Sequence, residues 1–146
     1  MIAAKNFQSG LQMLRQLEFA IFDLRLHLEF NPKIKNQIQK ILDEVRAKVS
    51  VIPQVKFNRF QHGFAHIFSG GYAAGYYSYK WAEVLSSDAF AKFETDGIFN
   101  QKTGNKFLTT FLELGGSVDP MVLFKRFRGR EPKIEALLRH SGIENG

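Results

Sequence analysis

The chain of 146 residues contains no cysteine and a single tryptophan. Without cysteine it can form no disulfide framework, thiolate metal site or cysteine nucleophile. No apolar run approaches the roughly 18 residues of a membrane-spanning helix, and the N-terminus lacks the charged region and apolar core of a signal peptide. The length predicts one domain or less. These absences predict no membrane association and a cytoplasmic location.

Acidic residues are fewer than basic ones, with 14 Asp and Glu against 20 Lys and Arg and a formal net charge of +6. Such an excess is also found in nucleic-acid-binding proteins. Here, however, the cations are spread along the chain, and the aromatic residues stand beside glycine and alanine instead of alternating with Lys and Arg, as on a stacking platform. We therefore expect no nucleic-acid partner, and interpret the charge as a solvated surface or as one part of a larger protein.

Alternating strand patterns of useful length are also absent, and helical periodicity dominates. Residues 8–30 predict a helix that is apolar on nearly every side and needs burial all round. Residues 33–49 predict a second helix with one apolar stripe, begun by Asn31 and Pro32 as cap and first turn. An extended connection is predicted at 50–57, and further helices at 72–94, 102–114, 119–128 and 132–140. The predicted fold class is all-α.

The first predicted helix has more apolar surface than the rest of the chain can bury. Five or six helices can hardly enclose a helix that is apolar on all sides together with 15 phenylalanines. Leu11, Leu14, Phe19 and Phe22 point in too many directions for this chain alone to bury them. We therefore expect an incomplete domain whose upstream segment is missing, with an exposed apolar patch or self-association at this helix.

All four tyrosines lie in a short window of the chain, between residues 72 and 79. If a helix begins near Tyr72, then Tyr72, Tyr76 and Tyr79 share one face, whereas Tyr77 points elsewhere. A phenol keeps its proton at neutral pH and can donate to a peptide carbonyl or a developing oxyanion. The alternative is a buried aromatic face whose hydroxyls find local partners, and composition alone leaves the two interpretations about even.

His66 and the Gly70-Gly71 pair precede the tyrosines. Two adjacent glycines could let a loop close over a bound peptide, or could simply form a tight turn. A phosphate loop is not expected, because its glycine and lysine motif is missing. His62 and His66 have the spacing of two zinc ligands on a helix, but Gly63 stands where a peptidase motif needs glutamate and disfavours the helix. We therefore expect no metal site.

Arg128 and Arg130 form a second candidate, because guanidinium groups can bind a substrate carboxylate through two parallel hydrogen bonds. Such arginines more often pair with a neighbouring helix or with its C-terminal carbonyls. We favour pairing within the protein.

The motif from His66 through the tyrosines into Lys80-Trp81-Ala82-Glu83-Val84 closely resembles the substrate loop of the oligopeptidase A, dipeptidyl carboxypeptidase and thimet oligopeptidase family of zinc peptidases. The likeness extends from Ala4-Lys5-Asn6-Phe7-Gln8-Ser9-Gly10 to Phe127-Arg128-Gly129-Arg130-Glu131-Pro132, and is greatest for the bacterial oligopeptidase A type. It implies that residues 1–146 are the C-terminal segment of a multi-helical, zincin-type catalytic domain. The zinc-binding part is absent, because the family's His-Glu-x-x-His motif and third glutamate ligand would lie upstream of Met1.

The resemblance also implies roles for individual residues. His66 and Tyr79 would act on the tetrahedral intermediate as catalytic residues, and a further set would bind the substrate backbone: Gly70, Gly71, Tyr72 and Tyr76. The complete family enzyme would use zinc and short peptide substrates, whereas this chain alone would bind no zinc and be inactive. Its expected partner is an upstream zinc-domain chain or a second copy of itself. The alternative is a stand-alone, non-catalytic remnant that binds peptides or other proteins.

Overall fold

The computed structural model describes residues 1–143, and this part of the chain contains helices and no β-strand. Its α-helices are α1 (Ile2–Asn6), α2 (Ser9–Glu29), α3 (Gln37–Val49), α4 (Ser78–Asp96), α5 (Gln101–Phe107), α6 (Pro120–Arg128) and α7 (Glu135–His140). Within these residues, no helix combines the length and the apolar character needed to cross a bilayer. The all-α prediction is confirmed. The last three residues of the predicted 1–146 segment lie outside the described part.

The chain divides into two compact units, the first being Met1–Lys80 and the second beginning at Trp81. In the first unit, α2 packs on α3, and the short 3-10 turns at Phe60–His62 and Ala65–Ile67 complete the core. Part of the apolar stripe predicted for residues 33–49 lies in this core, whereas Ile34 and Ile38 are exposed. The buried residues of the core are Phe22, Leu26, Ile41, Leu42, Val45, Phe64 and Ile67.

The start of α3 differs from the prediction, because the helix begins at Gln37 and not at Pro32. Asn31 does accept a hydrogen bond, but from the nearby N–H of Lys33 at 3.0 Å, which forms a local turn. Asn36 then adopts a left-handed conformation with φ 58° immediately before the helix. The cap-like residues therefore form an irregular connection, and the helix starts after it.

Within residues 1–143, helix α2 buries one side and leaves apolar residues exposed on other sides. Phe22 is fully buried, Phe19 and Leu14 are half-buried, and Leu11 is exposed. Leu24 is exposed as well, and Leu28 is 85% exposed. The expectation of incomplete burial is therefore wrong for Phe22 but agrees with the exposure of Leu11, Leu24 and Leu28. Self-association stays a prediction.

A buried ion pair joins α2 to α3. The Nε of Arg46 donates to Oε1 of Glu18 at 2.9 Å, and Arg15 donates to the same oxygen at 2.8 Å. The guanidinium of Arg15 also lies over the rings of Phe19 and Phe60, at 4.3 and 4.8 Å from their centroids. Paired charges and aromatic contacts thus offset the cost of removing Glu18 from water.

In the second unit, α4 and α6 enclose an aromatic core. Ala89, Phe124 and Phe127 are buried, and partly buried neighbours pack around them: Leu85, Phe93, Phe107 and Phe111.

Helix α6 occupies the predicted range, because Asp119 caps the N–H groups of Met121 and Val122 and Gly129 ends the helix at φ 75°. Helix α7 begins at Glu135, three residues later than predicted, and α5 continues into a π-helical turn at Leu108–Leu112.

Asp88 of α4 is 1% exposed and anchors the end of α6 and the loop that follows it. Arg128 donates to its carboxylate at 3.0 Å and Arg130 does so twice at 2.6 Å. The backbone N–H of Lys133 adds a hydrogen bond of 2.8 Å. The pairing interpretation of the two arginines is confirmed, since both guanidinium groups bind Asp88.

We expect the stability contributed by Asp88 to depend on pH. Burial on its own would raise the pKa of Asp88, but hydrogen bonds from Arg130 and Lys133 and the charges of Arg128 and Arg130 outweigh it and lower the pKa below the ordinary value of 3.8. A carboxylate with a lowered folded-state pKa contributes stability that is complete above about 3.8 and is lost as pH falls through the folded pKa. Asp88→Asn should lower the free energy of urea unfolding by about 3 kcal/mol at pH 7.

The difference between Asp88→Asn and the parent should shrink as the pH is lowered below about 3.8. Glu131→Gln is the control, because Glu131 pairs with Lys125 at 2.7 Å but its side chain is 76% exposed. It should change stability little. Equal losses from the two substitutions would contradict the anchoring role of Asp88.

Candidate functional site

The predicted site residues of the first unit lie together as a cluster of rings. Tyr72 stacks on Tyr79 with ring centroids 4.9 Å apart, and Tyr76 lies 5.0 Å from Tyr79. The ring of His66 lies 6.3 Å from Tyr72 and 6.4 Å from Tyr76. Tyr77 is 48% exposed and takes part in none of the ring contacts found within residues 1–143. We call residues 72–79 the tyrosine segment.

The prediction that a helix begins near Tyr72 is wrong. Helix α4 begins at Ser78, and the residues before it form consecutive turns. The N–H of Gly75 donates to the carbonyl of Tyr72 at 2.8 Å, and Ala74 adopts a left-handed φ of 53° that no helix contains. The rings therefore meet because the chain turns back on itself, and not because they share a helix face.

The glycine pair shapes the turn around His66. A Cβ on Gly70 would lie 2.8 Å from both the Cα and the carbonyl oxygen of His66, and Gly71 has a left-handed φ of 80°. The N–H of Tyr72 then donates to the carbonyl of His66 at 3.1 Å. This geometry fits the tight-turn interpretation, and closure of the loop over a peptide stays a prediction.

Asp23 of α2 holds the tyrosine segment and was missed by the sequence analysis. It is 0% exposed. One carboxylate oxygen accepts the N–H of Ala74 and the other that of Tyr76, both at 2.9 Å. The Nδ1 of His27 lies 2.9 Å from the first oxygen. The available signal was an acidic residue between Phe22 and Leu24 on a helix that needs burial, since a buried carboxylate requires partners.

The phenols of Tyr76 and Tyr79 have raised pKa values and keep their protons at neutral pH. Hydrogen bonding with the Tyr72 side chain raises the pKa of Tyr79 above its usual value of 10.0, and partial desolvation and the neighbouring tyrosines add to this. Desolvation also raises the pKa of Tyr76, although the charge of Arg15 opposes it. The Tyr76 hydroxyl donates to Oε1 of Gln16 at 2.9 Å. The side chain of Tyr79 is 39% exposed, so it is open to a ligand.

His62 and His66 do not share a helix. They belong to separate 3-10 turns, with Gly63 between them. Residues 1–143 contain no group of three or more His, Asp or Glu side chains placed to hold a metal ion. Within residues 1–143, the two histidines therefore lack the third protein ligand that a zinc site needs.

We expect the purified chain to bind no stoichiometric zinc at neutral pH, because two histidines on separate turns lack a third ligand. Metal analysis after dialysis measures this directly. One tightly held zinc ion per chain that is lost in His62→Ala would contradict the expectation and restore the histidine pair as a metal site.

We also expect Gly70→Ala to disturb the site. Its methyl group would require the backbone of His66 to shift, because no real Cβ lies 2.8 Å from backbone atoms. Overpacking of this kind costs about 1–3 kcal/mol, measurable as a loss of unfolding free energy in urea. Gly63→Ala is the control, since the nearest atom to its Cβ would be 3.9 Å away. Similar stability of both variants would contradict the close approach.

Comparison with known proteins identifies the class to which this fold and site belong. The sequence profile of peptidase family M3 matches residues 1–143, and the chain belongs to this family. It is 57% identical over 144 residues to oligopeptidase A of Escherichia coli, covering 99% of this chain and 21% of that protein. Oligopeptidase A of Haemophilus influenzae is 59% identical over 145 residues, with 99% and 21% covered.

A more distant relative is the dipeptidyl carboxypeptidase of Escherichia coli. It is 35% identical over 141 residues, which are 96% of this chain and 21% of that protein. The chain therefore spans about a fifth of the length of the relatives it matches. The family resemblance read from the sequence is confirmed.

Proposed function

We propose that this chain supplies the C-terminal segment of the catalytic domain of a zinc-dependent oligopeptidase that hydrolyses short peptides. The observation that supports this most is the cluster of His66 with Tyr72, Tyr76 and Tyr79, in which protonated phenols stand beside an exposed imidazole. Membership of peptidase family M3 supports it further. The absence of cysteine fits a cytoplasmic enzyme.

In this proposal, the residues of the chain bind the peptide and stabilise charge. The Tyr79 hydroxyl donates to the oxygen of the scissile carbonyl, which becomes negative in the transition state, and His66 assists it from the neighbouring turn. Donors that are fixed before the reaction lower the barrier, because the site need not reorganise around the new charge. Residues 1–143 hold no group of three His, Asp or Glu side chains that fits a zinc ion, and in this proposal the metal ion and the general base are supplied by another part of the enzyme.

The substrate backbone would lie along Gly70, Gly71 and Tyr72, and a Cβ built on Gly71 would meet no atom within 4 Å, which leaves space beside this residue. Tyr76 has a different role from a simple donor, because its hydroxyl hydrogen already binds Gln16. A hydroxyl oxygen has two lone pairs, so Tyr76 can still accept a hydrogen bond from a substrate N–H.

A stand-alone remnant that binds peptides without cleaving them is the alternative. It is supported by the two cores, each of which is formed within one unit of the chain. The neighbouring coding sequence distinguishes the two functions. An upstream reading frame that encodes a His-Glu-x-x-His domain would favour an oligopeptidase whose two parts are encoded separately. An unrelated neighbouring gene would favour the stand-alone remnant.

The catalytic role of Tyr79 is testable in a completed enzyme, in which this chain replaces the matching segment of the Escherichia coli oligopeptidase A. Tyr79→Phe removes one hydroxyl and keeps the ring, so packing should survive. We expect kcat for a short quenched-fluorescence peptide to fall on the order of 100- to 1,000-fold, as for loss of one oxyanion donor. KM should change much less, because the interaction strengthens in the transition state.

Tyr77→Phe is the matched control, since Tyr77 lies in the same segment but outside the ring cluster. It should leave kcat nearly unchanged. Small and equal effects of the two substitutions would mean that the tyrosines are scaffold, and the proposed role of Tyr79 would be wrong.

A further inference from the structure

We propose that Asp23 is a positioning residue of this site. By binding the backbone of the tyrosine segment, it fixes Tyr76 and, through the ring of Tyr76, the position from which Tyr79 faces the peptide. The proposal rests on the proposed function, because it concerns the same site. It adds a residue from α2, far from the tyrosines in sequence, that need not touch the substrate.

The first argument is the geometry of the carboxylate. Its two oxygens accept N–H groups two residues apart, from Ala74 and Tyr76, each at 2.9 Å. Two fixed points determine both the position and the direction of a short stretch of chain, whereas one would leave it free to rotate. Asp23 is fully buried, and the Nδ1 of His27 lies 2.9 Å from one carboxylate oxygen but forms its hydrogen bond with the backbone carbonyl of Asp23, also at 2.9 Å. No water competes for these hydrogen bonds, so they are strong and directional.

The second argument is the face of α2 on which Asp23 lies. Gln16, Phe19 and Asp23 are spaced three and four residues apart and so share one side of the helix. All three bind Tyr76. Gln16 accepts its hydroxyl at 2.9 Å, Phe19 meets its ring edge-on at 5.6 Å, and Asp23 holds its backbone N–H. Tyr76 is thus held at both ends and along its ring, and its ring in turn contacts Tyr79.

The third argument is strain in the segment. Ala74 has a left-handed φ of 53°, which a residue with a Cβ adopts only when its surroundings impose it. The N–H of this same residue is bound by Asp23. Without the carboxylate, the segment should relax towards more common backbone angles. The rings of Tyr76 and Tyr79 would then leave the positions seen here.

Hydrogen exchange of this chain tests the structural half of the proposal. Asp23→Asn keeps the size of the side chain but replaces one accepting oxygen by an NH2 group. We expect the amides of Ala74 and Tyr76 to exchange about tenfold faster, because local opening becomes easier.

Asp88→Asn is the matched control, since Asp88 is an equally buried aspartate that binds a backbone N–H but no site residue. It should leave these two amides unchanged. Unchanged exchange in Asp23→Asn would overturn the proposal, and so would equal acceleration in both variants.

Kinetics of the completed enzyme test the functional half. Asp23→Asn should lower kcat about 10- to 100-fold, the effect expected when a catalytic group is misplaced by about 1 Å. KM should change little. If Asp23 acts through Tyr79, the combined Asp23→Asn and Tyr79→Phe variant should be no slower than Tyr79→Phe alone. Losses that multiply would instead indicate a general structural role and overturn the proposal.

The two proposals can fail separately. Full activity of Tyr79→Phe would overturn the catalytic role proposed for Tyr79, together with the positioning role that rests on it. A large loss in Tyr79→Phe with full activity in Asp23→Asn would overturn the positioning role alone.

Discussion

The arrangement of the site depends on one buried carboxylate. Asp23 lies on α2 in the core of the first unit, and the hydrogen bonds that its two oxygens accept from the N–H groups of Ala74 and Tyr76 offset the cost of removing it from water. Because both donors are backbone N–H groups of the tyrosine segment, the buried carboxylate has its hydrogen-bond partners only when this segment is folded as seen here. The turns that bring Tyr72, Tyr76 and Tyr79 to His66 follow from this requirement. A buried carboxylate thus fixes the positions of exposed rings through directional hydrogen bonds, which the non-directional hydrophobic effect alone could not do.

The same physical solution occurs in the second unit. Asp88 is buried in α4 and is satisfied by Arg128, Arg130 and the backbone of Lys133. There the partners are mostly guanidinium groups, and the result is an anchored loop with no ring cluster. Whether a buried aspartate supports a site or only a fold therefore depends on what its partners carry. One partner of Asp23, Tyr76, carries a phenol whose ring contacts Tyr79, whereas the partners of Asp88 carry none.

Local signals explain which elements could be predicted from the sequence. Helix α6 lies where Asp119, Pro120 and Gly129 indicated, because a cap, a first-turn proline and a terminal glycine act within a few residues. The composition of the site was predictable too, since the tyrosines are close in sequence. The start of α4 was not, because the turns before it depend on Asp23, 51 residues before Ala74. The start of α3 was missed because the left-handed Asn36 follows the more familiar Asn-Pro signal.

The contact between Gly70 and the backbone of His66 has a consequence for the history of this gene. Every other amino acid carries a Cβ, so at this position almost all missense changes would push the histidine out of place. Related genes whose products still use the site should therefore retain glycine at this position, while codons for neighbouring surface residues vary. A copy of the gene released from selection would instead accumulate replacements there at the same pace as elsewhere. Comparing substitution rates at codons 63 and 70 among related sequences would thus distinguish a gene under selection from a pseudogene.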